Sequence, residues 1–223
     1  MMMDTSSSSK PNESLGWLEM RHRVSDSQMQ ELESCVANLY ETISSKVTAT
    51  RMILESAKRI DCLAHLAYHA SAMCALARVL REEGHKSFDL RLNIISVIFI
   101  TSFFQNFHKI LLEQNIGRTT IQFLMFEIEN MEYHHKLSNT SRVTSLHSKE
   151  TMAWKSEQER VMYMSINVLF NLAKDINIQR KMKKYNLVEL LCQVLDIRDL
   201  RLQLIRCYSR FWDCFGISPS TPI

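Results

Sequence analysis

The sequence predicts an all-α chain, an armadillo-like superhelical repeat of about three to four units behind a disordered N-terminal tail. Turn chemistry is scarce. Only 4 glycines and 3 prolines occur in 223 residues, with no proline between Pro11 and Pro219, too few for a sandwich, a barrel or a doubly wound sheet. From Gln28 onward apolar residues recur at spacings of three and four, the mark of one buried helical face. That pattern itself recurs with a period of about 42 residues, Ile53 to Ile95 being the first step, and a three-helix unit of this length is a solenoid repeat.

Residues 1–27 are rich in Ser and Met, hold few regularly spaced apolar side chains and cannot pack a core. They are expected to form the tail, with Trp17 and Leu18 as a weak docking spot. Residues 28–223 are expected to form the repeat domain. Leu32, Cys35, Val36, Leu39 and Tyr40 predict its first helix, and three copies of one pattern follow. In each copy a long apolar helix (46–60, 88–104, 159–174) precedes a short amphipathic one (62–70, 106–114, 178–185) and then a third (72–83, 119–131, 187–196). Gly117 is read as the sharp turn into the third helix of the second copy. Ile95 to Val168 spans 73 residues, and the excess falls on the polar stretch 132–157, read as an insertion on a helix extension or a loop.

Residues 92–104 (LNIISVIFITSFF) are almost continuously apolar. A helix of that length reaches about 20 Å against a hydrocarbon core of about 30 Å, so a buried core helix is expected and no membrane insertion. Net charge is +3, from 27 basic and 24 acidic side chains, without the one-signed surface of a nucleic-acid partner. The six cysteines (Cys35, Cys62, Cys74, Cys192, Cys207, Cys214) form no C-x-x-C pair and sit in apolar stretches, which points to a reducing, cytoplasmic setting. The N-terminus shows no apolar signal core, and Met2 stands where myristoylation needs glycine.

Candidate chemistry is thin. Asp61, His65 and His69 stand at i, i+4 and i+8, a spacing able to hold zinc, but without the Glu of H-E-x-x-H or a further ligand nearby they read as a solvated helix face. His134 and His135 read as a surface pair, and Cys207 and Cys214 as apolar filler. Phosphate-loop, dinucleotide and nucleophile-elbow strings are absent, so neither enzyme activity nor a cofactor is expected. The strongest local charge is Arg180, Lys181, Lys183 and Lys184 around Met182, backed by Arg198, Arg201, Arg206 and Arg210. It reads as a solvated short helix with Met182 inward, as a positive strip for an acidic partner segment, or as a nuclear import signal or nucleic-acid contact, the last disfavoured because no aromatic residues are interleaved for base stacking.

The run Ala75-Leu76-Ala77-Arg78-Val79-Leu80-Arg81-Glu82-Glu83, then Asn93-Ile94-Ile95, Phe99, Ser102-Phe103, Gln105-Asn106-Phe107-His108 and Ile116-Gly117, resembles the early armadillo repeats of the kinesin-associated protein family. Asn171-Leu172-Ala173-Lys174-Asp175 is similar to the repeat after them. The resemblance covers residues 29–211 and is thinnest over 132–157. It implies a non-enzymatic adaptor, the armadillo subunit that links a heterodimeric kinesin-II motor to cargo in ciliary, intraflagellar transport, cytoplasmic and associated with the cytoskeleton or cilium. Implied partners are kinesin-II motor subunits, through their tail or stalk, and cargo or ciliary transport proteins. A generic armadillo peptide-binding module unrelated to motors is the alternative.

In armadillo stacks the long third helices line the groove, here 46–60, 88–104, 159–174 and 200–214. Nuclear import receptors of this fold carry Trp-x-x-x-Asn there. This chain has Asn171 but Asn167 in place of the Trp, which argues against that class. Candidate partner-binding residues are Asn171, Lys174, Arg180, Lys181, Lys183, Lys184, Arg206 and Arg210. A last repeat ending in Phe211, Trp212, Cys214 and Phe215 would expose an apolar face, so self-association through it is also expected.

Overall fold

The structure is a computed structural model that describes residues 25–140, 147–185 and 190. The N-terminal tail, the helices expected at 187–196 and 200–214 apart from Leu190, and the cluster from Phe211 to Phe215 lie outside the described residues. Among those described, every regular element is a helix. In chain order these are α1 (Asp26–Asn38), α2 (Ile43–Ala57), α3 (Ile60–Tyr68), α4 (Ala70–Glu83), α5 (Phe88–Ser102), α6 (His108–Glu113), α7 (Ile116–Thr140), α8 (His147–Ala173) and α9 (Ile176–Lys183), with single 3-10 turns at Gly84–Lys86 and Gln105–Phe107.

The expected three-helix unit is present. A short helix, a second helix and a long third one recur as α3–α4–α5 and α6–α7–α8, with α2 standing as the third helix of a preceding unit and α9 opening the next. The third helices α2, α5 and α8 pack side by side in that order, and the second helices α4 and α7 pack together behind them. The fold is therefore all-α and repeat-like. Residues 132–140 form the last turns of α7, and residues 147–157 the first turns of α8.

With so little glycine and proline, the chain turns by capping its helices with polar side chains. Ser25 accepts from the Gln28 amide while the Gln28 side chain accepts from the Ser25 amide at 3.0 Å, a reciprocal capping box. Thr42 caps α2 and Ser87 caps α5, each accepting an amide N–H at 3.3 Å. Asp175 caps α9 by accepting from Asn177 at 2.8 Å. Each cap is worth about 1 kcal/mol.

The zinc-like spacing resolves the same way. α3 ends at Tyr68, and His69 uses Nδ1 to accept from the Ala72 amide at 3.2 Å, capping α4. Asp61, His65 and His69 thus do not run along one continuous solvated helix face. No group of three His, Cys, Asp or Glu side chains among the described residues is arranged to hold a metal ion.

Gly117 does not make the turn expected of it. The left-handed residue between α6 and α7 is Asn115, at φ 53°, a conformation Asn tolerates through its short polar side chain. Gly117 lies inside α7, where a Cβ would meet Met182 at 3.4 Å and Leu172 at 3.8 Å, ordinary contact distances. Two outcomes follow. Asn115→Ala should lose about 1 kcal/mol because a Cβ-bearing residue without that polar group pays the full left-handed cost, whereas Asn115→Gly should be tolerated. Gly117→Ala should be neutral to slightly stabilising, since 3.4 Å to a flexible Met is ordinary contact and Ala is the better helix former. Urea unfolding midpoints measure all three.

The core centres on α5. Leu90, Ile94, Ile95, Val97 and Ile98 are buried to 0% exposure because α2, α4 and α8 each pack against α5. A helix covered on most sides reads as apolar all round, which accounts for the unbroken run at residues 92–104. Among the described residues no single helix is long and apolar enough to cross a membrane. Cys35 and Cys62 are buried filler as expected, and burial pushes the Cys35 thiol up, with the Glu31 carboxylate adding to it. Cys74 departs from that pattern and is exposed.

Candidate interaction surface

Polar ties set the spacing of the stacked third helices. Between α2 and α5, Asn93 donates to the Thr50 hydroxyl at 3.3 Å and to the Val47 carbonyl at 3.4 Å. Between α5 and α8, Asn171 donates to the Ser102 hydroxyl at 3.0 Å. That hydroxyl in turn donates to the Phe99 carbonyl at 2.7 Å, and the Ser102 carbonyl lies 2.8 Å from His108 Nε2. Ser102 thus joins α5, α6 and α8. A buried amide or hydroxyl is costly unless paired, so each tie rewards one register between neighbouring helices.

Two ion pairs reinforce the layers behind. Lys46 Nζ of α2 donates to Glu83 Oε1 of α4 at 2.7 Å, with side-chain exposures of 7% and 15%. The Lys46 hydrogen bond holds the Glu83 carboxyl below the ordinary carboxylate range, with Lys86 adding to it. A depressed acid stabilises the fold above its unfolded pKa, and that contribution is lost as pH falls through the folded one. Lys46→Met should therefore cost about 1.5–3 kcal/mol at neutral pH, the scale of a hydrogen bond to a charged group. It should also flatten the acid-side fall in melting temperature below the ordinary carboxylate range. The second pair is deeper: Arg91 Nε of α5 lies 3.2 Å from Glu127 Oε1 of α7, and Gln158 of α8 donates to the other Glu127 oxygen at 3.0 Å.

With these faces occupied, α5 and α8 turn a common stripe outward. On α5 it runs through Leu92, Ser96 and Phe99 to Phe103 at its C-cap, and on α8 through Arg160, Tyr163, Asn167 and Phe170 to Lys174 just past its end, the i, i+3/i+4, i+7 spacing of one helix side. The stripes flank the contacts that join the helices, Ser96 Oγ to Met164 Sδ at 3.6 Å and Ser102 to Asn171. Phe99 and Phe103 stack with centroids 4.7 Å apart. Phe170 is 51% exposed and Phe103 37%. Large half-exposed aromatics bordered by cations are the composition of a protein-binding surface, not of a catalytic site.

Of the residues singled out from sequence, Asn171 is buried against Ser102. Lys174 is exposed in the α8–α9 turn, and Arg180 and Lys181 on α9 and Lys184 just after it are exposed too, with Met182 turned inward. Lys183 belongs to α9, and Arg206 and Arg210 lie outside the described residues. The aromatic stripe was not anticipated as a site. Phe99 and Phe103 sit in a run so uniformly apolar that periodicity does not tell the inward face from the outward one, whereas Tyr163, Asn167 and Phe170 do carry a helical spacing.

The family model for kinesin-associated protein (KAP) matches residues 3–217, nearly the whole chain. The chain belongs to the kinesin-associated protein family. No solved structure matches it. Membership implies an accessory role, a kinesin as partner and an association with the cytoskeleton, in a family that is non-catalytic. The residues that carry the family resemblance are the ones that tie its helices together. Arg78 donates to the Leu39 carbonyl at 3.1 Å and lies 4.5 Å over the Tyr40 ring, Glu83 holds Lys46, and Asn93, Ser102, His108 and Asn171 form the polar ties.

Proposed function

We propose that this chain is the adaptor subunit of a heterodimeric kinesin-II motor, linking the motor's tail or stalk to cargo in ciliary and intraflagellar transport. The outward face of α5 and α8 is the docking surface. Family membership supplies the kinesin, and the observation that carries the assignment of the surface is the exposed Phe103 and Phe170 beside half-buried Phe99 and Tyr163. These side chains act as apolar anchors. Lys174, Arg180, Lys181, Lys183 and Lys184, with Arg206 and Arg210, supply positive charge at the C-terminal side for an acidic segment of the partner, giving specificity and association rate more than affinity. Asn171 contributes through Ser102, by holding α8 at the distance from α5 that the bound segment spans.

Mixing the full chain with a kinesin-II heterodimer tail and running size-exclusion chromatography with light scattering tests the reading. A stoichiometric complex is expected. Separate elution of a folded chain and a folded tail would refute it.

A further inference from the structure

A second surface lies on the opposite side, between the second helices of successive repeats. Leu80 on α4 and Phe123 and Phe126 on α7 form the floor of an open pocket of about 130 Å³ whose rim carries Arg81, His85 and Gln122. The His85 ring stands edge-on to Phe126 with centroids 6.4 Å apart. A cavity of about 150 Å³ lined by apolar side chains takes up benzene, so this one has room for one leucyl or phenyl side chain. Among the described residues no carboxylate lines the pocket.

The carboxylates nearest in sequence are already engaged. Glu83 is held by Lys46 at 2.7 Å and by Lys86 at 3.4 Å. Glu82 is shared between Arg78 at 3.4 Å and Arg81 at 3.7 Å. Of the cations in these pairs only Arg81 lines the pocket; Lys46 is buried against Glu83, and Arg78 is turned to the Leu39 carbonyl. The Arg81–Glu82 contact is half exposed on both sides, the kind of pair that contributes little and is readily exchanged. Arg81 is therefore the cation at the rim that can turn to an incoming anion.

We infer that the α4–α7 pocket binds an acidic peptide segment, taking one phenyl or leucyl side chain into the floor and pairing an adjacent carboxylate with Arg81. The pocket lies between α4 and α7, so the repeat stack offers a docking side apart from the α5–α8 face.

Three probes test it on the full chain by ligand-observed NMR titration: acetyl-Glu-Phe-Glu-amide, acetyl-Lys-Phe-Lys-amide and acetyl-Glu-Ala-Glu-amide. The first should bind more tightly than either control, by about threefold over the lysine peptide, the scale of one exposed ion pair. Arg81→Glu should reverse the charge preference. Gln122→Trp, at an exposed rim position, should block the first peptide while leaving the circular dichroism spectrum unchanged. Equal affinity for the three peptides, insensitivity to both variants, or a dimer of the chain that Gln122→Trp dissolves would overturn the inference, the last by giving the pocket to a second copy.

Discussion

Arg91→Met is expected to cost about 3–5 kcal/mol of folding stability, the penalty for leaving a buried charge without its partner. The carboxylate left behind, Glu127, is fully buried at the junction of α5, α7 and α8. Burial raises its pKa, with Arg91 and then Gln158 pulling the other way. The sign of the pH dependence follows. A carboxyl raised in the folded state contributes most when protonated, and that contribution is lost as pH rises through its folded pKa. Removing Arg91 takes away the main opposing influence, so the variant should lose more stability relative to the wild type at pH 8 than at pH 5. Replacing both partners by apolar residues removes the stranded charge, and Arg91→Met with Glu127→Met should recover most of the loss. Urea melts of the single and double variants at the two pH values measure both effects. An equal cost at pH 5 and pH 8, or no recovery in the double variant, would show that the pair does not carry this junction.

The second large effect concerns binding. Phe103→Asp and Phe170→Asp should each weaken the complex with the kinesin-II tail by about 2 kcal/mol or more, the threshold of an interface hot spot, which is roughly thirtyfold in Kd. Both rings are more than a third exposed in the free chain, so neither substitution opens a cavity and folding stability should stay within about 0.5 kcal/mol of wild type. Charge-neutralising changes at Arg180, Lys181 and Lys184 should act differently. Rim cations steer encounter, so their loss should lower the association rate and its salt dependence while changing dissociation little. Calorimetry for the aromatic variants and stopped-flow mixing at two ionic strengths for the cationic ones separate the two roles.

Much of this architecture is written in spacing that one-dimensional reading reaches. The three-helix unit and the inward Met182 follow from apolar residues at helical intervals, since burial of one helix face is what selects them. The errors arise where side-chain chemistry stands in for backbone freedom. Gly117 looks like a turn, but Asn115 makes it, because a short polar side chain also tolerates left-handed backbone. His69 looks like a continuation of the Asp61 and His65 face, but its ring nitrogen caps the following helix. The aromatic face was the least legible feature. In α5, buried on most sides, inward and outward residues are equally apolar, and only the packing of α2 and α8 against it reveals that Phe99 and Phe103 are left outside. The Arg91–Glu127 pair was hidden for a related reason: its partners are 36 residues apart in sequence on different helices, and no local pattern joins them.

Hydrogen exchange of the full chain, free and saturated with the kinesin-II tail, tests the central claim most directly. Slower exchange along α5 and α8 with α4 unchanged is the expected result. Protection confined to α4 and α7, or a formed complex that leaves α5 and α8 as they were, would contradict it.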